Sequence, residues 1–536
     1  YKLTYTHHIL HDYAIARLLL RGDSTDFIQR LDSEPDLALT FRPSLVMHFQ
    51  HLWSLDASRT EFWDVTKKII LAEGVPEIAK VIGPVVAADL MRDPGDFQQI
   101  LAAVRTSSRP ERDSSITILN YMVRSIFTNQ VNRDRKVVGD DAPPWSEFLE
   151  QVTREMNFEL GTVVVPLLAD LSKQTDETNG SQKALIGLSA RRILEFAWGI
   201  EPNPPDMLVI TGLEAVCRTF ESDKIWSERL LRRCIEPSHL ARHGYREMPH
   251  LVGELDRIIP LAPSFIEDIY RAALAYTETS DETFELGRSA IMNLQIDRRQ
   301  NYMLAVITLG DMFANFAAQA PLEATGAVIA AVECHLKHRS KNPHQELVEE
   351  VFSLGESRAR LVPDLSCVWD HDVNRGREAH LRLLEGFERL LVRLAEDLEC
   401  EDLLCKVLSR IVREARFAAV WRRVLRAATA TPTSLGQKLR SLAWSRPILV
   451  CEDTREPAGE FIRIIYPSLN ADERRRIETT ILSIPDGVDS EAKEHFEYIR
   501  DVLLGCLTPS SLILERTRKR LDERARTGGF PENTPP

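Results

Sequence analysis

Three places in the chain set metal-ligating or nucleophilic residues at helical spacing. His239-Leu240-Ala241-Arg242-His243 puts two imidazoles at i, i+4, the spacing by which a helix holds zinc. A zinc hydrolase of that type also needs a carboxylate base after the first histidine. Leu240 stands there, so the pair is expected to be two partly exposed helix histidines. Cys334, His335, His338 and His344 make a looser cluster. Cys334 and His338 share a helix face, but no second ligand pair follows at zinc-finger spacing. Cys367 and His371 flank Trp369, yet a thiol–imidazole nucleophile needs a third, orienting group, and none is identifiable. The sequence thus predicts no catalytic residue and no metal site. No GxxxxGK followed by Ser or Thr, no GxGxxG and no GxSxG occurs, which removes a phosphate-binding loop, a dinucleotide fingerprint and a hydrolase elbow from this chain.

Charge supplies a further candidate. Lys406–Arg446 carries ten Lys or Arg residues against Glu414 alone, in a chain of net charge -13. Arg410, Arg413, Arg416, Arg422, Arg423 and Arg426 recur at steps of three, four and six and project from helices as ridges. They are the candidate partner-binding residues, for an acidic protein or for nucleic acid. The competing expectation is internal: the stripe neutralises acidic parts of the same chain or of a neighbouring subunit, since Glu396, Asp397, Glu399, Glu401 and Asp402 lie just upstream. Trp421 and Trp444 are expected to pack rather than to stack on bases.

The elements that must carry these residues are helical almost throughout. Leu45, Val46, Phe49, Leu52 and Trp53 share one face of a helix starting near Pro43. Ser58 with Glu61, Ser264 with Glu267 and Asn470 with Glu473 have the spacing of capping boxes. Leu384, Phe387, Leu391, Leu394 and Leu398 predict one long helix over about 377–399. Val163–Leu168 fits a strand or a helix. No Asn-Gly hairpin and no βαβ spacing is found. Polar breaks fall at Asn129–Pro144, Ser172–Gln182, Thr277–Arg288 and Lys337–Gln345. The predicted fold is all-α, an irregular α-solenoid of stacked helix pairs like HEAT or tetratricopeptide arrays. With 44% hydrophobic and 27% charged residues the chain can bury a large core, which excludes an intrinsically disordered protein. Eight cysteines without a CxxC are expected to be reduced thiols in a cytoplasmic protein. Asn179-Gly180-Ser181 fits a glycosylation sequon, but nothing else suggests secretion. No membrane-spanning run and no membrane partner is expected. The opening residue, Tyr1, suggests a piece of a longer polypeptide.

One short segment points to a family. Thr6-His7-His8-Ile9-Leu10-His11-Asp12-Tyr13-Ala14-Ile15-Ala16-Arg17-Leu18-Leu19-Leu20 resembles the end of the winged-helix domain in signal-transduction ATPases with numerous domains, the STAND ATPases. Their motif is Met-His-Asp, two aliphatics, any residue, Asp, an apolar residue and Ala. His7, Ile9, Leu10, Asp12 and Ala14 match it, whereas Thr6 replaces Met and His8 replaces Asp. Ala262–Arg271, Asp297–Tyr302 and Asn470–Glu478 look, with low specificity, like stretches of the helical region of large bacterial members.

The resemblance implies that His7 is a nucleotide ligand touching the β-phosphate of ADP. That contact would be made only with an ATPase domain upstream, which would hold ATP or ADP with Mg; this chain itself holds no cofactor. It implies residues 1–22 as the end of the winged helix with a connector. Helical arrays would follow over 23–180, 181–365 and 366–526, the last with the basic stripe, and then a disordered tail, 527–536. The implied function is a ligand-sensing, autoinhibitory module in prokaryotic antiphage defence, which recognises a foreign protein trigger and controls oligomerisation of its parent. The alternatives are a non-enzymatic helical scaffold, or nucleic-acid binding through residues 406–446.

Overall fold

A computed structural model describes residues 7–20, 24–105, 108–128, 130–138, 142–176, 179–200, 202–286, 294–339, 348–370, 378–486, 492–526 and 528–534. Among these the chain is all-α: 78% helical, with 29 helices packed against neighbours. It forms two compact units, Tyr1–Leu231 and Arg232–Pro536. No helix of the described residues is long and apolar enough to cross a membrane.

Within each unit, helices pack on the next in sequence and on the one after it. In the first, Gly180–Gly199 lies against both Ala142–Thr153 and Asp206–Arg218, and Phe158–Lys173 also packs on Asp206–Arg218. In the second, Ala379–Glu396 lies against Arg298–Gln319 and Ala418–Ala430, which in turn meets Glu452–Ile465. Apolar stripes at helical period drive this packing. Leu384, Phe387, Leu391 and Leu394 are all buried as their spacing requires, although the helix stops at Glu396 and Leu398 stands exposed beyond it. Val163–Leu168 is helical, inside Phe158–Lys173.

Helix starts follow the sequence where the cap is local. Asn470 and Glu473 form the reciprocal capping box. Ser58 and Glu61 do not. Arg59 takes the left-handed conformation at the start of Thr60–Leu71, and Asp56 Oδ1 accepts from Thr60 N at 3.3 Å. The Arg59 side chain compensates by donating from Nε to Asp96 Oδ1 at 3.0 Å and from Nη1 to Asp56 O at 2.8 Å. Ser264 and Glu267 also form no box: Pro263 opens that helix, and Glu267 turns to Arg410.

Two short antiparallel hairpins, absent from the sequence reading, lie in the second unit. Thr283–Leu286 pairs with Leu294–Asp297, and Glu350–Leu354 pairs with Ser357–Leu361. The latter turns at Gly355, whose φ of +60 suits a residue without a Cβ. Of the Glu350–Leu354 strand only Phe352 is buried, so no alternating apolar pattern announced it.

Among the described residues four helices carry an interior proline: Pro84, Pro166, Pro249 and Pro457. A proline leaves the carbonyl four residues earlier without its helical donor. Two of those carbonyls receive side chains from other helices. Tyr245 O accepts from Asn301 Nδ2 at 2.6 Å, and Asp453 O accepts from Arg422 Nη1 at 2.9 Å. In the tail, Asn533 Nδ2 donates to Glu456 O at 3.0 Å.

Candidate functional site

Of the six candidate arginines of the basic stripe, all but Arg413 are buried or half-buried. Arg422 and Arg423, on Ala418–Ala430, have side chains 3% and 2% exposed. Arg423 Nη1 donates to Glu388 Oε2 at 2.7 Å and its Nη2 donates to Asp370 Oδ1. Arg422 Nη2 lies 3.2 Å from Glu456 Oε2. Arg410 donates to Glu267 Oε1 at 2.6 Å, to Glu414 Oε2 at 2.9 Å and to Leu322 O at 2.8 Å. The Arg410–Glu267 pair crosses directly over Gly326, where a Cβ would collide with both side chains. Arg416 lies 3.4 Å from Glu333 and over the Phe417 ring.

Arg426 is half-buried and makes no hydrogen bond or ion pair among the described residues; Arg413, 70% exposed, touches Glu414. A docking stripe of six arginines is therefore corrected to internal ion pairing for Arg410, Arg416, Arg422 and Arg423. Their carboxylate partners come mostly from distant helices; among the described residues only Lys438, bonded to Glu401 at 2.7 Å, uses the adjacent acidic stretch. Trp421 is buried and its indole donates to Arg360 O at 2.9 Å, so it packs as expected.

Two of the clusters weighed for chemistry are structural, as expected. His239 is buried, not partly exposed, with Nε2 2.7 Å from Glu247 Oε2. Burial holds the His243 ring protonated only below about 4. Cys367 N donates to Asp453 Oδ1 at 3.0 Å, and burial together with that carboxylate pushes its thiol up to about 12, which removes the thiolate a nucleophile requires. His371 and His344 lie outside the described residues. Seven of the eight cysteines are buried or half-buried and all are free thiols; Cys405 is exposed.

His335 is placed differently. It sits on Pro321–Arg339 and faces the start of Ala379–Glu396, where Glu378 is the N-cap and His380 occupies the first turn. The two imidazoles stack with centroids 3.7 Å apart and planes 26° apart. The Trp369 ring lies 4.9 Å from His335 and 5.5 Å from His380. One nitrogen from each ring and one Glu378 oxygen lie within 4.8 Å of one another. Among the described residues, Nε2 of both histidines is buried without a hydrogen-bond partner, and Glu378 Oε2 lies 3.3 Å from His380 Nε2 outside hydrogen-bonding geometry. Burial first, and Arg339 second, lowers His335 to about 4; burial and then His335 lower His380 to about 3. Both rings are neutral near pH 7.

These groups line one side of a cavity of about 500 Å³, with Tyr276, Arg299, Tyr302 and Met303 on other walls. His338 also faces it, but its Nε2 donates to Ala275 O at 3.1 Å. Cys334 is buried on the same helix and belongs to no such group of donors among the described residues. Sequence reasoning had His335 in view and missed Glu378 and His380, which lie far along the chain; the only local signal was Glu378-Ala379-His380 at a helix start.

His7, the remaining predicted residue, is the exposed N-cap of His8–Ala14. Asp12 of the same segment accepts from Ser44 Oγ at 3.0 Å, which fixes this helix on Arg42–Leu55. Ile9, Leu10, Tyr13 and Leu18 are each more than half exposed.

No family model matches this chain. A comparison with curated proteins finds no match either.

Proposed function

We propose that the chain is the helical sensor and autoinhibitory region of a STAND-type ATPase acting in prokaryotic antiphage defence. The observation that carries this reading is the His8–Ala14 helix. His7 stands exposed at its N-terminus, where an imidazole N–H can donate to a phosphate oxygen supplied by another domain. Its apolar residues Ile9, Leu10 and Tyr13 are uncovered, as a surface awaiting a domain would be. Asp12 anchors the helix to the first unit, so a movement at His7 has a direct path into the array. The order of packing within each unit, with helices meeting the neighbour two ahead, supports an irregular α-solenoid of stacked pairs. Such an array offers a long surface for a protein trigger. Binding there would release a resting contact and permit nucleotide exchange and oligomerisation of the parent.

The test uses the parent protein. His7→Ala should strip co-purifying ADP, measured by chromatography of the denatured sample. Truncation after about residue 180 should abolish the response to a phage-encoded trigger. Full ADP retention, or an undiminished trigger response, would sink the reading.

A further inference from the structure

We propose that His335, Glu378 and His380 form a binding site for a divalent transition-metal ion of the zinc class, with its remaining coordination positions open to the adjoining cavity. Three donors from two helices converge within 4.8 Å. Ligands held about 2.1 Å from a tetrahedral ion are roughly 3.4 Å apart, so the donors must close by somewhat more than about 1 Å and one ring must turn. The Glu378 side chain, about half exposed, is free to swing, and the stacked ring of His380 must turn out of its stack to aim its lone pair.

Two buried ring nitrogens without partners among the described residues are unusual, because buried polar atoms are normally hydrogen-bonded. An ion would satisfy both at once. Two histidines and a carboxylate suit zinc, cobalt, nickel or ferrous iron, and are a poor set for magnesium or calcium, which take oxygen ligands. Three protein ligands leave room for a water or a small anionic ligand, and the cavity of about 500 Å³ admits one. This site does not depend on the sensor reading.

The whole chain, stripped with EDTA and dialysed, is titrated calorimetrically with zinc chloride and, separately, with cobalt chloride followed by visible absorption. One zinc ion per chain is expected, with cobalt d–d bands. Glu378→Gln, His335→Gln and His380→Gln should each weaken zinc binding at least about tenfold and erase those bands. Glu378→Gln carries the test if either histidine variant fails to fold, since its side chain is not part of the core. Absence of stoichiometric binding overturns the proposal. So does binding that Glu378→Gln leaves unchanged, which would place the ion on exposed histidines such as His7, His8 and His11.

Discussion

Arg423 donates to Asp370 inside the second unit, and neither side chain reaches solvent. Arg422 approaches the same carboxylate at 3.8 Å, so one acidic side chain serves two guanidinium groups. A buried charge without its counter-ion is far more costly than the pair is favourable. Asp370→Ala should therefore destabilise the protein by about 3–5 kcal/mol. Urea unfolding followed by circular dichroism checks this, and a loss under about 1 kcal/mol would show that water reaches Arg423 in its place.

The exposed part of the basic segment behaves differently. Arg413→Glu should alter stability by less than about 0.5 kcal/mol, whereas Arg422→Glu should unfold the second unit. With Lys406, Arg413, Lys438, Arg440 and Arg446 as the exposed cations of Lys406–Arg446, any DNA affinity of this segment should show a log–log salt slope shallower than about −5. Fluorescence anisotropy at several salt concentrations gives the slope. A value near that expected for ten phosphate contacts would restore the nucleic-acid reading.

Asp364 holds a proton to unusually high pH. Burial, then the neighbouring charge of Asp453, raises its carboxyl to about 7, against the pull of the N–H groups of Ser366 and Ala419. In the unfolded chain the same group titrates near 3.9. The native state thus keeps a proton that the unfolded state has lost, so this contribution is complete below about 4 and disappears as pH rises through about 7. Asp364→Asn should flatten that part of the stability profile. Guanidinium unfolding of both proteins at pH 5 and pH 8 provides the comparison; parallel profiles would assign the proton elsewhere.

Asp501 shows the opposite sign. Its side chain is enclosed by Arg500, Arg520 and Arg524, and although burial opposes ionisation their hydrogen bonds bring it down to about 2. Its contribution is present above about 3.9 and is lost as pH falls toward 2. Asp501→Ala should cost roughly 2–3 kcal/mol and release the helix Glu515–Arg526. Hydrogen exchange across that helix would then speed up selectively, and unaltered protection would mean that apolar contacts alone hold it.

What the sequence made legible was what short-range chemistry decides. The stripes of Leu45–Trp53 and Leu384–Leu394 and the Asn470 cap each depend on a few neighbouring residues, and each stands as read. Ser58 and Ser264 failed as caps because Arg59 and Glu267 are claimed by residues far along the chain, Asp96 and Arg410. The same limit hid the His335–Glu378–His380 group: charge and ligand type are visible locally, but which distant residue they meet is decided by helix packing. In the last helix, too, Arg520 and Arg524 turn inward onto Asp501, a carboxylate that no local pattern announces.

The interior prolines have a consequence for alignment. Apolar ridges on two helices fit again after a slide of one turn, about 5.4 Å, so greasy contacts alone define axial position weakly. A carbonyl vacated by a proline sits at one height only. Asn301 reaching Tyr245 O and Arg422 reaching Asp453 O act as keys in slots, and each locks its helix lengthwise against the one that carries the proline.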